Sequence, residues 1–144
     1  MANAWYAESR VISRFRKWLI ERNWTIEHVA KTKKRESGPD IRARKTLKKL
    51  LIIEAKGYPS KKYQIGSKVG KLKKTNLKLQ ARHWYAEMVF LAMLRKSEFP
   101  HAQIAIILPK KNYYEELHSQ INGLLRMIRI RTYLIQRDGT ITIA

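Results

Sequence analysis

Two periodicities alternate along the chain, and the points where they change predict its elements. Ala4, Glu8, Val11, Ile12, Phe15 and Leu19 recur at helical spacing and predict a helix from Ala4 to about Arg22. Glu8 falls on the same stripe as Ile12, Phe15 and Leu19, so either burial of that stripe turns a carboxylate inward, where it needs a cation or hydrogen-bond donors, or Glu8 sits at the stripe's edge and reaches solvent. From Trp24 to Ala30 the spacing changes to alternation, with Trp24, Ile26 and His28 on one face of a strand and Thr25, Glu27 and Val29 on the other. A polar turn over residues 31–38 follows. Asp40 to Arg44 is extended after Pro39, and a second turn around Lys45 to Lys49 leads into Leu50–Lys56. There Leu50, Ile52, Glu54 and Lys56 share one face and Leu51, Ile53 and Ala55 the other. Apolar residues on both faces predict a central strand covered on both sides. Gly57 and Pro59 stop it.

Residues 57–76 form the least regular stretch, long for an unstructured connection. A helix capped by Thr75 or Asn76 then runs to about Lys96, with Leu77, Gln80, Trp84, Met88 and Leu91 on one stripe. Gln80 is again polar where the period calls for core. Ile104–Leu108 reads as a buried strand ended by Pro109, and Asn112 to about Arg129 as an amphipathic helix carrying Tyr114, Leu117, Ile121, Leu124 and Ile128. Thr132–Gln136 and Thr140–Ile143 flank an Arg137-Asp138-Gly139 hairpin turn. The order predicts one α/β domain over residues 1–144, with a mixed central sheet flanked by helices.

Charge narrows the function classes. The chain has 31 Lys and Arg against 11 Asp and Glu, a formal charge of +20 in 144 residues. Between Lys31 and Lys78 the only acids are Glu36, Asp40 and Glu54, so this region carries a positive field suited to nucleic acid. The residues expected on a phosphate backbone are Lys33, Lys34, Arg35, Arg42, Arg44, Lys61, Lys62, Lys68, Lys71, Lys73, Lys74 and Arg82. Tyr58 and Tyr63 stand among lysines and are suited to stacking on bases. Gly66-Ser-Lys-Val-Gly70-Lys71 is no phosphate-binding P-loop, because it has the wrong glycine spacing and lacks Ser or Thr after the lysine. The absence of cysteine excludes disulfides, thiolate zinc sites and cysteine nucleophiles. No signal-peptide pattern opens the chain, and its apolar runs are too short to span a bilayer, so the expectation is a soluble cytoplasmic protein without a membrane partner.

The acids in the basic region carry the candidate chemistry. Asp40 and Glu54, at the end of a predicted hairpin, have the carboxylates to hold Mg²⁺, with Mn²⁺ as a substitute, and the Ala55 carbonyl is a natural third ligand. Lys56 shares Glu54's face and can stabilise charge on an attacked phosphate or orient a water. Taken alone, Glu54 and Lys56 also fit an ordinary strand-edge ion pair, and Asp40 a turn residue. His28, His83, His101 and His118 are widely spaced and fit packing or surface roles.

Pro39-Asp40 followed by Glu54-Ala55-Lys56, between a helix bearing Glu8 and a helix bearing Gln80, resembles the PD-(D/E)XK nuclease superfamily. The order of elements from Ala4 to Leu108 is similar to that family's restriction-endonuclease-like αβββαβ core, here with a further C-terminal helix and short strand pair. The resemblance implies Asp40 and Glu54 as metal ligands, Lys56 as catalytic lysine, and Glu8 and Gln80 as auxiliary active-site residues. Gln80 with Trp84 is similar to the Gln-x-x-x-Tyr motif of some branches, with Trp in place of Tyr. The implied activity is metal-dependent DNA endonuclease. The alternatives are a non-catalytic nucleic-acid-binding protein retaining the nuclease fold, or a dimeric Holliday-junction-type resolvase, with RNA open beside DNA as substrate.

Overall fold

The computed structural model describes residues 4–30, 38–61, 70–72 and 76–144. Their elements are α1 (Glu8–Glu21), β1 (Thr25–Val29), β2 (Ile41–Thr46), β3 (Lys49–Ala55), α2 (Leu77–Glu98), β4 (Gln103–Pro109), α3 (Asn112–Met127), β5 (Ile130–Ile135) and β6 (Ile141–Ile143). The six strands form one open sheet in sequence order. β3, β4 and β5 run parallel, while β1–β2, β2–β3 and β5–β6 are antiparallel. The sheet is therefore mixed, as the sequence predicts.

Helix placement follows from strand direction. The β3–β4 and β4–β5 connections are parallel crossovers, and their right-handed preference puts α2 and α3 on the same face. Helix α1 covers the opposite face. One core accordingly joins Val11, Ile12, Phe15 and Leu19 of α1 to Ile41, Leu51, Ile53, Ala55 and Ile107. The other joins Ala81, Tyr85, Met88 and Ala92 of α2 to Ile52, Ile104, Ile106 and Leu108. The unbroken apolar runs of β3 and β4 are thus buried from both sides.

α1 starts at Glu8, later than the predicted Ala4, and residues 4–7 enter it as a turn. Its end is a Schellman motif: Asn23 takes φ 67°, its N–H bonds the Ile20 carbonyl at 3.1 Å, and the Trp24 N–H bonds the Leu19 carbonyl at 3.0 Å. Asparagine tolerates this left-handed conformation better than most non-glycine residues, and the turn packs Trp24 onto the α1 core. In β1 the expected simple alternation fails. A register shift between Ile26 and His28 turns Val29, in place of His28, toward the core shared with Trp24 and Ile26.

α2 is capped by Asn76, whose Oδ1 accepts the Leu79 N–H at 3.2 Å. Its buried line is Ala81, Tyr85, Met88 and Ala92, so the stripe predicted through Leu77, Gln80, Trp84 and Leu91 is rotated by about one residue. Gln80, Trp84 and Leu91 lie half-buried on its flank. In α3, Leu124 is exposed, while His118 and Leu125 are buried with Tyr114. No helix among the described residues is long and apolar enough to cross a membrane.

Candidate active site

The site lies where β3 ends, at the carboxyl edge of the parallel strands, a position that open α/β sheets commonly use for ligands. Register builds it. Ile41 pairs with Ile53, so Asp40, just before β2, stands across from Glu54. Side-chain alternation turns both away from the α1 core and toward α2. The Ala55 N–H donates to Asp40 Oδ2 at 2.8 Å and fixes that carboxylate against the strand.

Asp40 and Glu54 stand close enough for each to shift the ionisation of the other. Glu54 is 2% exposed. Burial, and then the neighbouring Asp40 charge, push its carboxyl from 4.5 up to about 8, against the pull of Arg95. Burial also raises Asp40, opposed by the Ala55 N–H, the Glu54 hydrogen bond and the charges of Lys56 and Arg95. The pair is thus two adjacent carboxyl groups, both desolvated, whose ionisation a bound cation would favour.

Lys56 follows the last β3 residue, held by its N–H to the Ile107 carbonyl at 3.3 Å. Its Nζ lies 3.2 Å from Glu87 on α2 and 3.9 Å from Glu8 at the start of α1. The lysine therefore bridges helices from opposite faces of the sheet around the strand's end. Glu8 is half-buried. Burial raises its carboxyl to about 7, with Asp40 and Glu87 adding to the rise and Lys56 opposing it.

Gly57 sets the position of Glu8. A Cβ on Gly57 would lie 2.7 Å from the Tyr6 carbonyl oxygen and would also strike the Glu8 amide nitrogen. Only glycine lets the chain after β3 touch the first turn of α1. The Tyr58 N–H to the Tyr6 carbonyl at 2.9 Å and the Tyr114 hydroxyl to the Gly57 carbonyl at 2.6 Å lock this crossing.

Four of the predicted residues, Glu8, Asp40, Glu54 and Lys56, therefore come together. Gln80 stands apart. It lies about 10 Å before Glu87 along α2, and its Oε1 is buried with no hydrogen-bond partner. Three participants were missed from sequence: Gly57, Glu87 and Arg95. Arg95 Nε donates to Glu54 Oε1 at 2.8 Å, and its other arm holds Glu98 at 2.9 Å. The signal for Glu87 and Arg95 is their place on the row Gln80, Trp84, Glu87, Leu91, Arg95, which puts charges on a helix flank facing the sheet.

As metal donors the residues offer the Asp40 and Glu54 carboxylates. No group of three or more His, Asp or Glu side chains able to hold a metal occurs among the described residues. That donor set, two adjacent carboxylates, fits a hard dication that retains several waters. Of the residues expected to hold phosphate, Arg42 and Arg44 both reach Glu27 Oε1 at 3.3 Å, so that carboxylate already engages them. Lys61, Lys71 and Arg82 are exposed. Lys33, Lys34, Arg35, Lys62, Lys68, Lys73 and Lys74, and Tyr63 with them, lie outside the described residues.

Comparison with known proteins finds no matching family model, and neither a curated protein nor a solved structure that matches the chain.

Proposed function

We propose that the chain is a metal-dependent DNA endonuclease of PD-(D/E)XK type, with a restriction-endonuclease-like αβββαβ core running from α1 to β4. The observation that carries the reading is the contact between two desolvated carboxyl groups, Asp40 and Glu54, with the Lys56 ammonium beside them at a strand end. A strongly basic protein has no structural need for such a pair.

In this reading Asp40 and Glu54 hold Mg²⁺ or Mn²⁺ with the Ala55 carbonyl. The ion supplies Lewis-acid stabilisation of the phosphate and lowers the pKa of its bound water. Lys56 donates toward a phosphate oxygen and stabilises the charge that grows there in the transition state. Glu8, titrating at about 7 and 3.9 Å from Lys56, is suited to accept or return a proton near neutral pH. Glu87 holds Lys56 in place, and Arg95 orients Glu54 through Oε1.

Plasmid, linear, single-stranded and branched DNA incubated with Mg²⁺ or Mn²⁺ test this, with Glu54→Ala and Lys56→Ala as controls. Cleavage that both variants retain refutes the assignment. A second reading, a non-catalytic nucleic-acid-binding protein on the same fold, rests on Arg95, whose guanidinium already occupies Glu54 Oε1 without a metal. Salt-sensitive DNA binding with no cleavage of any substrate selects it. Preferential cutting of four-way junctions by a dimer selects a resolvase.

A further inference from the structure

A second basic surface lies away from the residue 31–78 region that charge density singles out. Arg10, Arg14 and Lys17 occupy i, i+4 and i+7 of α1, on the exposed face opposite its core stripe. Together with Trp5 and Arg137 they line a cavity of about 450 Å³ between α1 and the turn joining β5 to β6. Among the described residues no carboxylate lines it. In the adjoining turn Asp138 accepts the Thr140 N–H on Oδ1 at 2.8 Å and feels the charge of Arg14. Gly139 makes the close packing of helix and hairpin possible, because a Cβ there would lie 2.7 Å from the Arg14 guanidinium carbon. Four cations with one acid, Asp138, beside Arg14 leave the cavity net positive and attractive to an anion.

An independent feature leads from this cavity to the carboxylates. The Lys111 ammonium sits 4.1 Å from the centre of the Tyr6 ring, 5.1 Å from Trp5 and 5.6 Å from Tyr58. Burial, and then Arg137, disfavour its charge. Tyr6, Tyr58, Lys61 and Lys111 line a second cavity of about 390 Å³. The cavities are neighbours, since Trp5 of the first lies 5.1 Å from the Lys111 ammonium of the second. Tyr6 and Tyr58, joined by the Tyr58 N–H to the Tyr6 carbonyl, stand two residues along the chain from Glu8 and Lys56.

We propose that these neighbouring cavities together form a track for a single nucleic-acid strand, with bases on Tyr6, Tyr58 and Trp5 and phosphates on Arg10, Arg14, Lys17 and Arg137. Each cavity is of nucleotide size, and a paired duplex cannot offer its base faces to rings. The inference rests on the proposed nuclease reading for one point only, that the strand's other end lies at Asp40 and Glu54.

The test is fluorescence anisotropy of a labelled 16-nucleotide thymidine oligonucleotide, and of a labelled duplex, over a range of salt in EDTA. The Arg10→Ala/Arg14→Ala double variant is expected to weaken single-strand binding at least tenfold. It should also reduce the log–log salt slope by about 1.4, the value for two lost phosphate contacts on a single strand. Duplex binding should change by less than about threefold, and Trp5→Ala should weaken the single strand alone. If the double variant melts early, Lys17→Ala/Arg137→Ala reads the same quantities at exposed positions. Unchanged single-strand binding, equal loss for duplex, or equal loss for vesicles of anionic lipid overturns the track. Because binding is read without metal, the two proposals separate. Failure to cut any DNA with Mg²⁺ overturns the nuclease reading alone, whereas cleavage with single-strand binding indifferent to these variants overturns the track alone.

Discussion

Replacing Glu54 by Gln is expected to stabilise the protein above neutral pH and to leave it no more stable at pH 5. In the folded protein the Glu54 carboxyl titrates at about 8 against an ordinary 4.5. If that whole gap counted at 1.36 kcal/mol per unit, ionising Glu54 in place would cost ~5 kcal/mol by pH 9. Two effects reduce the gain on removing the charge. The proton belongs to the Asp40–Glu54 pair, so one acid does not carry the full shift. Arg95, its side chain 11% exposed, also loses a charged acceptor, at a cost of about 1–2 kcal/mol. The net gain is ~2–3 kcal/mol, or roughly 6–12 °C in Tm for a chain of this size. The sign follows from the raised pKa. The stability that protonated Glu54 contributes is complete below about pH 4.5 and is lost as pH rises through about 8. At pH 5 wild type and variant are both neutral at this position, and the difference falls to zero or below. Thermal melts by circular dichroism from pH 5 to 9 in EDTA measure it. Added Mg²⁺ at pH 8 should raise the wild-type Tm and leave the variant nearly unmoved, since only the carboxylate form gains a ligand. A variant-minus-wild-type difference that stays flat from pH 5 to 9 would refute the assignment of a strained acid pair.

Three further outcomes follow from the contacts around this pair. Gly57→Ala forces its Cβ onto Tyr6 and Glu8 backbone, so Tm should fall by an amount equivalent to about 1–3 kcal/mol or more, and cleavage should fall further than Tm accounts for. Arg95→Met removes the cation that opposes the rise at Glu54, and the acid limb of the cleavage pH profile should move to higher pH; an unmoved limb would show that Arg95 does not act on Glu54. Tyr114→Phe leaves the Gly57 carbonyl without its 2.6 Å donor, and chemical denaturation should report a loss of about 1–2 kcal/mol.

The sequence is most informative where one force decides the outcome. β3 and β4 are apolar on both faces, only a central strand satisfies such a run, and both lie at the centre of the sheet. The pairing of Asp40 with Glu54 was equally legible, because two scarce acids closed a short hairpin whose register the apolar residues fix. Rotation of a helix is harder to read. α2 has apolar residues around much of its circumference, so small Ala81 and Ala92 rather than Leu77 and Leu91 take the close approach to the sheet. That rotation leaves Gln80 on the flank and brings Glu87 and Arg95 to Lys56 and Glu54. The role of Gly57 depends on the passage of a distant segment, Tyr6–Glu8, across it. No local pattern encodes that crossing. The cavity between α1 and the β5–β6 hairpin was missed for the same reason, since Arg137 and Gly139 lie far along the chain from Arg10, Arg14 and Lys17.

The acid cluster itself argues against a purely structural role. Glu8, Asp40, Glu54 and Glu87 are four of only eleven acids in the chain, and they meet around Lys56 and Arg95. Had selection sought stability alone, an apolar pair at positions 40 and 54 would serve better, since buried ionic groups seldom outperform hydrophobic replacements. Instead burial raises the pKa of both Asp40 and Glu54, and the Asp40 charge raises Glu54 further. Such strain is tolerated where a site works, and a dication between the carboxylates would remove its cause. The surrounding charge of +20 then acts in the opposite sense, drawing phosphate toward a point that repels it until the cation is in place. Under the proposed reading this order of events makes metal binding the condition for productive contact, so DNA affinity near the site should rise when Mg²⁺ is added to wild type and stay level in Glu54→Gln.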